Sequence, residues 1–230
     1  MFFIEFKKSL LAAVLSIFLN PLLWNLAARQ EYHNKTLTKL ANGDSKKACY
    51  GLAIVIFVGG IIRDLIFQNA IKRQPTMSLL LAPFFQGISK LLLLAGSVLV
   101  LSSMYRLGIV NTYLGDYFGF LLPARLTGFP FNVCDNPMYV GSTLCFLATA
   151  LRYGKPVGFL LTAEVYYVYK LALKYEEYVL QSVPSAVSVR LADFRAVRLP
   201  YNSVSCFKSL TNFCRPFTAK IYANKDAKKN

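Results

Sequence analysis

Four long apolar blocks joined by short basic connectors restrict what this chain can fold into: Ser9–Ala28, Ala48–Ile62, Ile88–Met104 and Gly154–Leu173. A helix crossing the hydrocarbon core needs roughly 20 mostly apolar residues. The third and fourth blocks meet that length, and the second does if Lys46 and Lys47 snorkel. The first is interrupted by Asn20-Pro21, which would kink a span or produce a re-entrant helix within one leaflet. Leu144–Leu151 is too short to span and reads as a buried helix starting beneath a polar stretch. Strand signals are poor, and backbone satisfaction in lipid favours helices. The expected fold is all-α: a multi-pass integral membrane bundle of three spanning helices plus one N-terminal re-entrant or spanning helix, forming one domain over residues 1–230.

Charge narrows the partners. Only 16% of residues are charged, against about a quarter in soluble domains. The 26 Lys+Arg outnumber the 11 Asp+Glu, for a net charge of +15. These bases sit in connectors and the tail, which points to the anionic headgroups of a lipid bilayer. Nucleic acid is not expected, because no basic stripe and no zinc pattern accompany the charge. Bases on both sides of the second block give the positive-inside rule no clean answer, while Lys220, Lys225, Lys228 and Lys229 favour a cytosolic C-terminus. Cys49, Cys134, Cys145, Cys206 and Cys214 form no CxxC pair, and His33 is the one histidine. No metal site is expected. The first apolar run lacks a cleavage-site pattern and reads as a retained membrane segment.

The run GFPFNVCDNPMYVGST, Gly128–Thr143, is a polar-aromatic island in this apolar setting. Polar groups at membrane depth are costly and mark candidate sites. Asn132, Asp135, Asn136, Tyr139 and Ser142 therefore need a reason to be there. Three further patches stand out. One is Leu94-Ala95-Gly96-Ser97 in the third block, where small residues also serve close helix packing. Another is Asn111–Gly119, in which Gly115 and Gly119 suit turns and Asp116 suits a helix cap. The last is Tyr175-Glu176-Glu177, where two acids oppose the dipole of a helix C-terminus and call for a nearby cation.

GFPFNVCDNPMYVGST, LGDYFG, EYH after NPLLWNLAAR, and YEE together resemble the phosphatidylethanolamine N-methyltransferase family, in its fungal phospholipid methyltransferase branch. The likeness runs from Leu19 to Glu177 and resumes at Pro216. Isoprenylcysteine carboxyl methyltransferases share a shorter Asn/His-Pro-x-Tyr-x-Gly core and a late acidic pair, and match less of the chain. The resemblance implies transfer of methyl groups from S-adenosylmethionine (AdoMet) to a phospholipid headgroup amine. The acceptors would be phosphatidyl-N-methylethanolamine and its dimethyl analogue, with phosphatidylethanolamine itself a further candidate, and the product phosphatidylcholine. It implies residence in the endoplasmic reticulum, with a mitochondrial membrane as the alternative, and leaves the oligomeric state open. The family's Gly-x-Gly for AdoMet falls on Leu94-Ala95-Gly96, with Leu94 replacing the first glycine. Its acidic pair falls on Glu176 and Glu177. Its GxxGT keeps Gly108 and Thr112 but has Asn111 for the second glycine. Carboxylates suit a donor bearing a sulfonium and an ammonium. The acceptor nitrogen must be neutral, so His33, Asp116 and Asp135 are candidate bases, and Tyr139 a candidate cation-holding ring. His33 suits a structural or surface role better than that of a base. The competing readings are an isoprenylcysteine-type enzyme and a non-enzymatic lipid-binding membrane protein.

Tyr178–Arg215 fits neither a spanning run nor a helical period. The resembling family runs YEEPFTA without a break, whereas here the segment separates YEE from Pro216. Back-translation of Glu177-Tyr178-Val179 accommodates GTATGT, that of Leu210-Thr211-Asn212 accommodates TACTAAC, and that of Phe213-Cys214-Arg215 a pyrimidine tract ending in AG. Residues 178–215 therefore read as a translated intron, with a genuine insertion as the alternative.

Overall fold

The computed structural model describes residues 4, 5, 7–120 and 126–181, with side chains inside the last helix described through Lys174. Among the described residues every regular element is helical: α1 Lys8–Asn34, α2 Thr36–Leu40, α3 Ser45–Lys72, α4 Pro83–Thr112, α5 Pro137–Tyr153 and α6 Val157–Gln181. Short 3-10 turns occupy Ser78–Leu81 and Gly115–Phe118.

Helices α1, α3 and α4 are long and apolar enough to cross a membrane. Helix α1 stays continuous through Pro21 for 27 residues, about 40 Å at 1.5 Å per residue, so the first block forms one long helix. Asn25 Nδ2 donates to the Pro21 carbonyl at 3.0 Å. Helix α3 starts at Asp44, whose Oδ1 accepts from the backbone N–H of Lys46 (3.0 Å) and Lys47 (3.1 Å). That bond set leaves the Asp44 carboxyl below its ordinary range, chiefly through the Lys47 N–H. One flank of α3 exposes Ile54, Val55, Val58, Ile62 and Leu65, as a lipid-facing helix does. Its other flank buries Phe67, Ala70 and Ile71.

The fourth block lies in α6, whose first eighteen residues carry Glu164, Lys170 and Lys174. It is not among the three helices apolar enough to span by composition. Instead it buries a stripe of Val157, Leu161, Val165, Val168, Tyr169 and Leu173 in the core shared with Leu10, Ile17, Phe67 and Phe146. A helix sheathed by neighbours can carry charges on its remaining surface that a lipid-surrounded one cannot. The short segment expected beneath the polar island is longer than its apolar run: α5 starts at Pro137, inside the island.

Helices α4 and α5 cross at a close-packed glycine pair. A Cβ on Gly96 would lie 2.6 Å from the Gly141 carbonyl oxygen, and one on Gly141 would lie 2.6 Å from that of Gly96. Only paired glycines let these backbones approach so closely. Ser89 Oγ ties the same helices by donating to the Ala148 carbonyl at 2.8 Å.

The end of the bundle bearing the start of α1 is stitched together through Gln74. Its side chain donates to the Glu5 carbonyl (2.7 Å) and accepts from the Glu5 N–H (3.1 Å). Its own carbonyl accepts from Nζ of buried Lys155 in the α5–α6 turn, which also donates to Thr76 Oγ1. At the other end the chain bends. Helix α4 breaks at Gly108, whose φ of 69° and ψ of 168° belong to a region open essentially to glycine alone. Leu114 (φ 61°) then turns the chain into the 3-10 segment that packs against α1 and α3.

Candidate active site

Between these ends lies a cavity of about 290 Å³, walled by α3, the second half of α4, the island and α6. Helix α3 contributes Phe57, Gly60, Ile61, Arg63 and Asp64; α4 contributes Val100, Ser103, Met104, Leu107 and Asn111. The island adds Asp135 through Tyr139 and Ser142, Tyr169 comes from α6, and Trp24 from α1. The wall holds carboxylates from Asp64, Asp116 and Asp135 against the guanidinium of Arg63. Such an excess of acid favours a cationic guest. Tyr139 and Tyr169 meet edge to face with centroids 4.9 Å apart, offering ring surface to a cation.

Local sequence explains how these groups arrive. Asn136 and Pro137 end the island and begin α5, Pro137 at the first turn where its missing N–H costs nothing. Tyr139 and Ser142 therefore stand on the first turns of a rigid helix. Asp116 is presented by the LGDYFG turn, in the 3-10 segment Gly115–Phe118. A Cβ on Gly115 would come within 2.6 Å of the Val110 carbonyl oxygen, so this turn can pass only a glycine. Thr112 Oγ1 is buried without a hydrogen-bond partner on the cavity wall. A buried hydroxyl left unsatisfied costs about 1–3 kcal/mol, a cost that a polar guest would remove.

The structure brings three sequence candidates together: Asp116, Asp135 and Tyr139 all line the cavity. His33 does not; it is exposed near the end of α1, edge-on to Tyr32 at 5.3 Å. Its neighbour Glu31 is fully buried and caps α2, accepting from the N–H of Leu37 (2.7 Å) and Thr38 (3.1 Å) and from the Thr38 hydroxyl. Leu94 and Ala95 are exposed on α4, while Gly96 is buried against α5. Gly96 stands one turn from Val100 on the cavity wall. Glu176 and Glu177 belong to the α6 backbone, seven and eight residues past Tyr169; their side chains lie outside the described set. Of the 178–215 segment, only 178–181 are described, as the last turn of α6.

Arg63, Asp64 and Tyr169 were not candidates from sequence. Arg63-Asp64 marks the end of an apolar block, yet α3 runs nine residues further. The signal that would have found them is an acid-base pair inside a membrane-length helix.

Residues 85–183 match the phospholipid methyltransferase family. A phosphatidyl-N-methylethanolamine N-methyltransferase of Schizosaccharomyces pombe is 58% identical over 224 residues, covering 97% of this chain and 95% of that protein. The chain belongs to the phospholipid methyltransferase family. The enzyme of the same name in Saccharomyces cerevisiae is 45% identical over 228 residues, covering 99% of this chain and 91% of that protein. Human phosphatidylethanolamine N-methyltransferase is 46% identical over 169 residues, covering 74% and 84%. No solved structure matches. In this methyltransferase the family's island supplies one wall of the cavity, and its LGDYFG turn supplies another.

Proposed function

We propose that this chain transfers methyl groups from AdoMet to phosphatidyl-N-methylethanolamine and phosphatidyl-N,N-dimethylethanolamine, yielding phosphatidylcholine, in the endoplasmic reticulum membrane. The observation that carries this reading is the acid-rich, tyrosine-lined cavity set among membrane-length helices. The names of its relatives supply the acceptor, and the resemblance in its motifs supplies the donor and the compartment.

The residues present suit AdoMet. Thr112 offers an unsatisfied hydroxyl at the cavity wall beside Asn111. Glu176 and Glu177 follow Tyr169 by two turns of α6, about 10 Å along the axis. In this reading Thr112 and the Glu176-Glu177 pair hold the donor, with Gly96 supporting the wall one turn below Val100. When bound, AdoMet supplies an electrophilic methyl whose C–S bond breaks as the N–C bond forms. The chain's own groups do the rest. The Asp116 or Asp135 carboxylate takes the proton from the acceptor ammonium, freeing its lone pair. The Tyr139 and Tyr169 rings accept the growing positive charge and added methyls without a hydrogen bond to lose. Fixing both reactants at one depth in the bilayer removes most of the entropic cost of the encounter.

The test is radiolabelled methyl transfer by the purified chain to each acceptor lipid. Asp116→Asn and Asp135→Asn are compared with His33→Gln. The reading expects at least one Asp variant to lose about 10²-fold or more in kcat, with His33→Gln within about twofold of wild type. Wild-type protein that labels no aminophospholipid, or Asp variants that both retain full kcat, would overturn it.

A further inference from the structure

The mechanism above leaves the cavity's cation unused. Arg63 lies within α3, nine residues from its end, with only 8% of its surface exposed. Among the described residues lining the cavity it is the one basic side chain. Charge at such depth in an apolar helix is costly and is held there by specific partners. Nε and Nη2 donate to Asp64 Oδ1 at 3.0 and 2.9 Å, and Nη1 donates to the Tyr169 hydroxyl at 2.6 Å. The guanidinium also lies 5.0 Å from the Phe146 ring centroid and 5.8 Å from that of Tyr169. These contacts fix its plane and direction.

They do not exhaust it. A guanidinium has five N–H donors, and these bonds use three. One N–H remains on each terminal nitrogen, donors suited to phosphate oxygens. Asp64 does not close the site, because its side chain is 52% exposed. On the same flank Phe57 and Ile61 are both exposed and part of the cavity wall, so the cavity meets the lipid-facing surface of α3 there.

We propose that Arg63 binds the phosphodiester of the acceptor lipid and thereby sets its amine against Tyr139 and the acidic wall. This rests on the phospholipid methylation proposed above and adds the residue that recognises the headgroup. A donor's carboxylate is the other anion this fork would fit. The lipid is favoured because Arg63 stands mid-helix beside the bilayer-facing flank, whereas the donor arrives from water.

The test compares phosphatidyl-N-methylethanolamine with its methyl phosphotriester, which has the same tails and amine but no phosphate charge. Purified full-length chain in bicelles is assayed for initial rate against each lipid and against AdoMet. A second readout, taken without donor, is quenching of Trp24 by the same two lipids with brominated tails. Trp24 is the chain's one tryptophan and lines the cavity. Wild type is expected to prefer the diester at least about tenfold in kcat/KM and in binding. Arg63→Gln should bring the diester down to the triester's level, leaving the triester within about twofold and the KM for AdoMet unchanged. A role confined to tying α3 to α6 would lower both lipids together and preserve their ratio, which would overturn the proposal. So would a wild type that does not discriminate, or a variant whose loss lies in AdoMet affinity alone. If Arg63→Gln does not fold, Arg63→Lys decides: it keeps the charge but loses the fork, so the ratio should fall part-way, and an unchanged ratio overturns the assignment. Wild type that methylates neither lipid would remove the underlying reaction, and Trp24 quenching would still decide Arg63.

Discussion

Gly96 sits at a decision point between two roles, and one substitution pair separates them. By resemblance it belongs to the donor site; by geometry it is half of the glycine pair at the α4–α5 crossing. In Gly96→Ala the new methyl would sit 2.6 Å from the Gly141 carbonyl oxygen, 2.7 Å from Cys145 Sγ and 3.2 Å from the Cys145 nitrogen. Two of these contacts are to backbone, so no rotamer change relieves them. The helices must part by about 0.5 Å, and overpacking of this kind costs about 1–3 kcal/mol. The displacement does not stay local. Val100 and Ser103, one and two turns along α4, line the same cavity as Tyr139 and Ser142 of α5. A misplacement approaching 1 Å can cost up to about 10²-fold in rate. Gly141→Ala creates the mirror clash, 2.6 Å from the Gly96 carbonyl oxygen. Packing therefore predicts matched losses: each variant falls about 5- to 50-fold in kcat and loses about 1–3 kcal/mol of stability. The double variant should lose less than the sum, since one separation accommodates both methyls. Denaturant titration in mixed micelles, calorimetric AdoMet binding and lipid methylation rates together give the answer. If Gly96→Ala weakens AdoMet binding more than tenfold while Gly141→Ala leaves it intact, packing is not what this glycine is for.

Two other expectations concern the ends of the fold. Glu31→Ala strips an acceptor from the Leu37 and Thr38 N–H groups and the Thr38 hydroxyl; it should cost about 1–3 kcal/mol of stability, read as a lower denaturation midpoint, while Glu31→Gln retains most of it. Tryptic mass spectrometry of protein from the native host should yield YEEPFTAK, joining Glu177 to Pro216; peptides such as LPYNSVSCFK would show that residues 178–215 are translated and retained.

The long helices were legible because lipid-facing segments need no partner to declare themselves: the apolar runs in α1, α3 and α4 carry their own signature. The island was legible as a polar site but not as a helix start: Asn136-Pro137 opens α5 seven residues before the apolar run Leu144–Leu151. Other features depend on contacts that no local pattern contains. Arg63 ends an apolar run on paper, yet its helix continues because Tyr169, 106 residues away, satisfies it. The burial of Glu31 depends on Lys35 adopting a left-handed conformation (φ 53°) that swings α2 back over the end of α1. The fourth block has the length of a span, but its place beside α1 and α5 leaves it largely shielded by protein. Gly96 carries opposite meanings in motif and in packing, and only the position of Gly141 supplies the second.

The stitching around Gln74 has a mechanical consequence. The start of α1, the end of α3 and the α5–α6 turn are pinned to one another at a single knot. Widening the gap beside α3 to admit a two-tailed molecule must then be a splay about that knot, like shears turning on their rivet. The amplitude of such a splay would grow with distance from the knot, toward the end where α4 breaks at Gly108.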